Sequence, residues 1–321
     1  MSAGDGTVGA DAPAPPPATR FLHAPYASGV RPFSIGLAPL DPGRWLEPDA
    51  RLGAELAEKE WILDAAGEEA FRAEAGMEGA QAEAADLVLS HVSARFPDTW
   101  SIDPDRATVR AGAFRRTLRK ADFAGRPLDL AARLVQDDLV LMRRDGPCWR
   151  LVAASLAFPS SWSLAEKFGR PMAEIHAAVP GFPGRMAERV DRIFDNLRPG
   201  APVGRLNWSI YPDDRLRHHV SKNRPVYGDA REGRAATDLF VRVERQTLAR
   251  LPTTGAILFT IRVMVDPVAA IAAHPDGGRL ARALADGIAA LDPDQLAYKG
   301  LSGARDRLVA DLLGLASALG A

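Results

Sequence analysis

Two pairs of strand-like runs, each folded about a turn signal and separated by a helical stretch, restrict this chain more than any other feature of its sequence. Residues 136–143 and 149–158 flank Asp145-Gly146, and residues 239–250 and 256–265 flank Pro252–Gly255. Apolar runs of this length bounded by turn formers read as β-hairpins. Arg205–Tyr211 adds a further strand, because Leu206, Trp208 and Ile210 alternate with Asn207, Ser209 and Tyr211. Between the first hairpin and that strand, Met186, Val190, Ile193, Phe194 and Leu197 form a stripe of helical period closed by Pro199 and Gly200. Further helices are predicted before the first hairpin, from Leu52, Leu56 and Leu63 and from Ala85, Leu89, Val92 and Phe96. Others follow the last strand, from Leu280, Leu284 and Ile288 and from Leu308, Leu312 and Leu315.

The expected fold class is therefore α+β. Two strands, a helical crossover and three more strands is the element sequence of a PAS-type antiparallel sheet, with additional N- and C-terminal helices; other α+β sandwiches share it.

Composition removes several function classes. Forty basic against forty-one acidic residues leave a net charge of -1, without the electrostatic footprint of a nucleic-acid or anionic-membrane binder. The single cysteine, Cys148, cannot form an internal disulfide or hold zinc or an iron–sulfur cluster by itself. Residues 1–20, rich in Ala, Pro and Gly, lack the basic and apolar regions of a secretory signal, read as a disordered leader, and make cytoplasmic residence the expectation. The most hydrophobic segment, Ile257–Val265, carries Arg262 in its middle, so no span is expected. Gly4, Gly6 and Gly9 spell a dinucleotide motif without the strand and helix it needs.

The stretch 162–182, WSLAEKFGRPMAEIHAAVPGF, holds the main candidate. With Pro171 in a first helical turn, Met172, Ile175, His176 and Val179 fall on one apolar face. An inward imidazole there can ligate haem iron while apolar neighbours exclude water. A buried histidine bonded to backbone fits the same pattern. On the strand 239–250, Arg242, Glu244 and Gln246 share one face and Leu239, Val241 and Val243 the other. That polar face is either solvated or lines a pocket, in which Glu244 would pair with a protonated amine and Arg242 or Arg245 with a haem propionate. Trp208 and Phe259 fit a core as well as a cofactor platform. His218 and His219, adjacent after a strand, face different ways, and Cys148 reads as a turn residue.

These segments together resemble the haem-dependent oxidative N-demethylase α-subunit family. The matching stretches are PFSIGLAPLDPGRWLEPD (Pro32–Asp49), FPSSW (Phe158–Trp162), IHAAVPGF (Ile175–Phe182), LNW (Leu206–Trp208) and RVERQTLARLPTTGAILFTIR (Arg242–Arg262). The family pattern ends its central motif in Val-Pro-Gly-Tyr, where this chain has Phe182 and so no phenolic hydroxyl. The resemblance implies a PAS-like domain binding haem b non-covalently and oxidising a small secondary amine such as dimethylamine, with dioxygen, to the primary amine and formaldehyde. It also implies electrons from NADPH through FMN and [2Fe–2S] centres on reductase-type partner subunits. Carried onto this chain, it makes His176 the axial ligand and Glu244 the residue holding the substrate ammonium. Arg242, Arg245 and Arg262 become propionate contacts, and Trp208 a cofactor neighbour. The implied organisation is a leader (1–20), an N-terminal helical layer (21–130), a PAS-like haem-binding domain (131–268) and C-terminal helices (269–321). A haem or small-ligand sensor of the same fold is the competing expectation.

Overall fold

The computed structural model describes residues 21–29, 33–182, 184–220 and 233–321. The leader and the glycines at 4, 6 and 9 lie outside the described residues. Helices and antiparallel strands make up the chain, an α+β architecture. No helix among the described residues is long and apolar enough to cross a membrane.

In chain order the strands are β1 (Ala38–Pro39), β2 (Phe71–Ala73), β3 (Trp100–Ile102), β4 (Arg106–Ala111), β5 (Phe114–Arg119), β6 (Asp138–Asp145), β7 (Cys148–Ser155), β8 (Val203–Tyr211), β9 (Phe240–Arg250) and β10 (Ile257–Pro267). The helices are α1 (Leu52–Ala66), α2 (Glu78–Arg95), α3 (Pro127–Ala132), α4 (Leu164–Lys167), α5 (Met172–Ile175), α6 (Arg185–Asn196), α7 (Gly277–Ala289), α8 (Pro293–Lys299) and α9 (Arg305–Ala318). The main sheet has the order β1-β8-β9-β10-β6-β7-β2, antiparallel throughout. Both predicted hairpins are present. β6 and β7 turn at Gly146, whose φ of +57° suits glycine, and β9 pairs with β10 over eleven residues, from Phe240↔Pro267 to Arg250↔Ile257. The last strand closes beside the first long one, Phe259 opposite Val140.

Because side chains alternate across a strand, the sheet buries two different surfaces. On one, Leu139, Leu141 and Val152 pack with Val88, Leu89 and Leu128 of the N-terminal helices. Further along that surface, Trp208, Val241 and Val243 pack with Leu280, Leu284 and Leu308. Gly287 of α7 packs closely there: an added Cβ would stand 3.1 Å from the Trp208 ring, tighter than an ordinary contact. The other surface is covered by the crossover α4–α6. The stripe expected for α6 is realised, with Val190, Phe194 and Leu197 buried against Met142, Leu151 and Leu248. Burying each such side chain stabilises by about 1.5–3 kcal/mol.

The region 21–130 is not only helical. Residues 100–119 form a separate three-stranded sheet, β3-β4-β5, which the sequence reading omits. Its strands carry few apolar residues, Ala107, Val109 and Leu118 being the buried ones besides Trp100; β4 alternates, but with small Ala107, Val109 and Ala111 between Arg106, Thr108 and Arg110, a weak signal.

Polar residues lock the layers together. Lys59 of α1 is fully buried; its Nζ donates to the carbonyls of Val135, Gln136 and Asp137 and lies 3.3 Å from Asp138 Oδ1. Asp138 in turn accepts the amides of Ala157 and Phe158, at 2.9 and 2.7 Å. The start of β6 and the segment leaving β7 are thereby tied to one helix.

Candidate functional site

A cavity of about 230 Å3 lies between the crossover helices and the sheet. Its apolar walls come from Val140, Met142, Leu151, Leu248, Phe259 and Ile261 of the sheet, facing Met172, Ile175, Val179, Phe182 and Met186. The unbranched methionines can repack around an occupant. Phe33 to Leu37 and Tyr298 with Lys299 of α8 border it from opposite ends of the chain.

His176 lines this cavity. It does not sit in the middle of an amphipathic helix; it caps α5, a single turn begun after Pro171. Its Nδ1 lies 3.1 Å from the Met172 carbonyl oxygen. A carbonyl only accepts, so Nδ1 carries the proton and Nε2 keeps its lone pair. Phe182 stacks on the ring at 4.6 Å between centroids and 24° between planes. Burial, reinforced by the Lys167 charge, pulls the imidazole pKa down to about 4. The ring is neutral at physiological pH, the form that ligates a metal.

The cavity also has polar lining. Glu244 accepts from Gln246 Nε2 at 2.8 Å and Asn207 Nδ2 at 3.3 Å, both on Oε2. The register explains the grouping: Asn207 is directly opposite Glu244, and Arg205 opposite Gln246. Arg205 lines the cavity with its Nε buried and without a hydrogen-bond partner, and burial lowers its pKa despite the Glu244 charge. Lys167, at the end of α4, holds its ammonium 4.5 Å from the Trp162 ring centroid. Burial brings its pKa down to about 8 against the pull of Glu244 and Glu166.

The remaining sequence candidates separate. Arg242 borders the cavity, but its guanidinium is spent on structure: it donates to Ser160 Oγ and to the carbonyls of Arg215, Phe158, Pro159 and Leu216. This clamp holds the FPSSW segment, where Ser161 adopts a φ of +63° and is fixed by its amide on the His218 carbonyl and its hydroxyl on Tyr211. Arg245 and Arg262 do not reach the cavity. They are opposite each other in register on the far face of the sheet. Arg245 donates to the carbonyls of Trp45 and Arg44 and pairs with Glu47; Arg262 pairs with Asp49 and Glu55. As propionate contacts both are corrected by the period-two rule of the strand. Trp208 borders the cavity while its ring packs on Tyr26 at 5.8 Å in the C-terminal core. His218 is buried beside Tyr211 and 3.1 Å from Asp213, and Cys148 stays at the hairpin turn.

Lys167, Arg205, Asn207 and Tyr298 were not singled out from sequence. The polar face of β8 was visible in its alternation and extends back by two residues from Asn207 to Arg205. Nothing local marks Lys167 or Tyr298.

Residues 36–309 match the family described as haem-dependent oxidative N-demethylase, alpha subunit-like. The chain belongs to this family. The N-demethylase α-subunit-like cavity suits a haem on three grounds of donor chemistry. One neutral imidazole suits a metal bringing its own equatorial ligands. Apolar walls fit a macrocycle. An orphaned guanidinium nitrogen on Arg205 and the half-buried ammonium of Lys167, both lining the cavity, fit its carboxylates.

The two depressed histidines give this N-demethylase-like chain an acid sensitivity. His218 is also pulled down to about 4, by burial and then by Arg242. The unfolded chain takes up protons at both rings below about pH 6.5 while the folded one resists until about 4. Stability of the haem-free protein is therefore expected to fall as pH drops from about 6.5 to about 4, before carboxylates held low, such as Glu47 and Asp49, add their loss. Denaturant unfolding at stepped pH checks this; an equal fall in a His176→Gln/His218→Gln variant would refute the assignment.

Proposed function

We propose that this protein is the haem-bearing catalytic subunit of an oxidative N-demethylase acting on a small secondary amine, in which His176 would hold the iron. The observation that carries the reading is a neutral imidazole, its Nδ1 committed to the Met172 carbonyl, sharing one cavity with the carboxylate of Glu244. The family name supports haem dependence and the reaction type. We read residues 131–268 as the haem-binding unit between the 21–130 and 269–321 flanks. Its sheet is PAS-like; the element string, the last strand closing on the first and a cavity under the crossover support this.

Haem b, when bound, supplies dioxygen activation and the oxidation of the methyl carbon. For dimethylamine the balance is one amine, one dioxygen, two electrons and two protons giving methylamine, formaldehyde and water; the electrons come from reductase-type partner subunits carrying FMN and [2Fe–2S] and using NADPH. The chain's own residues bind and orient. His176 Nε2 would hold the metal, with the Met172 carbonyl keeping its tautomer and making it more basic. Glu244 receives the substrate ammonium, its Oε2 steadied by Gln246 and Asn207, so that an N-methyl group is presented inward. Lys167 and Arg205 take the propionates in place of Arg245 and Arg262. The apolar walls exclude water.

Haem-reconstituted protein with an artificial reductant, air and dimethylamine is expected to release formaldehyde; haem binding without formaldehyde would make it a sensor instead. Glu244→Gln is expected to keep haem and bind the amine about 10- to 100-fold more weakly, the loss of a charge-assisted hydrogen bond. Amine titration followed in the Soret band measures it, and unchanged affinity removes Glu244 from this role.

A further inference from the structure

We infer that the exposed face of the small sheet β3-β4-β5 is a docking surface for an acidic protein partner. The register sets Arg106 opposite Arg119, Thr108 opposite Thr117 and Arg110 opposite Arg115, with Ser101 of β3 beside Thr108. By the alternation of a strand these seven side chains share one face. All four arginines are exposed. The arginine of these strands that has an ion-pair partner among the described residues is Arg116, which belongs to the opposite face and meets Glu60 at 2.5 Å. Asp103, in the β3–β4 turn, spends its Oδ1 on the amides of Asp105 and Arg106.

Opposed residues in an antiparallel pair stand about 5 Å apart, where like charges destabilise the sheet. Two such arginine pairs on one face of a chain whose net charge is -1 are a local concentration that the fold itself does not require. Between them Thr108 Oγ1, on a buried residue, and Thr117 Oγ1 stand 3.0 Å apart, so the middle of the face is polar too. Guanidinium forks match carboxylates in two-point contact. The face offers no aromatic ring on which a base could stack and no aliphatic side chain to enter a bilayer, so glutamate and aspartate side chains of another protein are the anions it fits. None of these residues lines the cavity, so the inference goes beyond the catalytic reading and each can fail alone.

The full chain is titrated with fluorescent decaglutamate, and in separate arms with a single-stranded oligouridylate and with phosphatidylserine vesicles. The expected result is saturable binding of decaglutamate that weakens with salt. Arg110→Gln/Arg115→Gln is expected to bind about 10-fold more weakly, while Arg110→Lys/Arg115→Lys keeps most of the affinity. The glutamine variant is also expected to melt no lower than the parent, since a repulsive pair is gone. Equal binding by parent and glutamine variant overturns the inference, as does preference for the oligonucleotide or the vesicles. A lowered melting temperature in that variant would assign the arginines to structure and overturn it equally.

Discussion

His176→Ala is expected to lose haem on desalting, with affinity down by more than about 100-fold, since replacing even the partner of a metal ligand costs roughly 10–100-fold. The fold should survive. The α5 turn is held by backbone bonds, Ile175 to Pro171 and His176 to Met172, which an alanine keeps. The removed ring leaves a space lined by Phe182 and Met172, and added imidazole is expected to occupy it and restore part of the Soret absorbance. Formaldehyde release should fall with haem content. An alanine variant with the parent's haem content and ferrous spectrum would show that another residue holds the iron.

Lys59→Met is expected to destabilise the protein by about 3–5 kcal/mol, the cost of breaking a buried pair by removing one partner. Three carbonyls and the Asp138 carboxylate lose a fully buried cation together. Asp138 also positions Phe158 through its amide, so haem affinity is expected to weaken alongside stability. Guanidinium unfolding of the haem-free variant measures the first effect. A loss below about 1 kcal/mol would mean that apolar packing alone seats α1 on the sheet.

The hairpins were legible because turn residues punctuate long apolar runs, and Asp145 to Cys148 and Arg250 to Ile257 pair as expected. Their assembly into one sheet was less so, since the Phe259 to Val140 contact joins strands more than a hundred residues apart. Parity along β9 was readable: Glu244 shares its face with Arg242 and Gln246, and Arg245 therefore turns away. Arg262 of β10, in register with Arg245, turns away with it, so neither of the arginines that the resemblance gives to the haem lines the cavity. His176 reached the cavity by a different local route than its apolar periodicity suggested, a one-turn helix ended at the histidine itself. Two of the cations that line the cavity, Lys167 and Arg205, belong to segments whose sequence distinguishes them from solvated charges only after tertiary packing. β3 to β5 escaped notice because arginines occupy positions where strands usually advertise themselves with valine or isoleucine.

The wall of the cavity joins Phe33 to Leu37 with Tyr298 and Lys299, stretches separated in the sequence by the whole of the main sheet from β6 to β10. During translation the pocket stays unfinished until α8 has left the ribosome. On the proposed function, capture of the prosthetic group would then be a late event in the life of the polypeptide, and nascent chains stalled before α8 are expected to be poor haem acceptors even with His176 already in place.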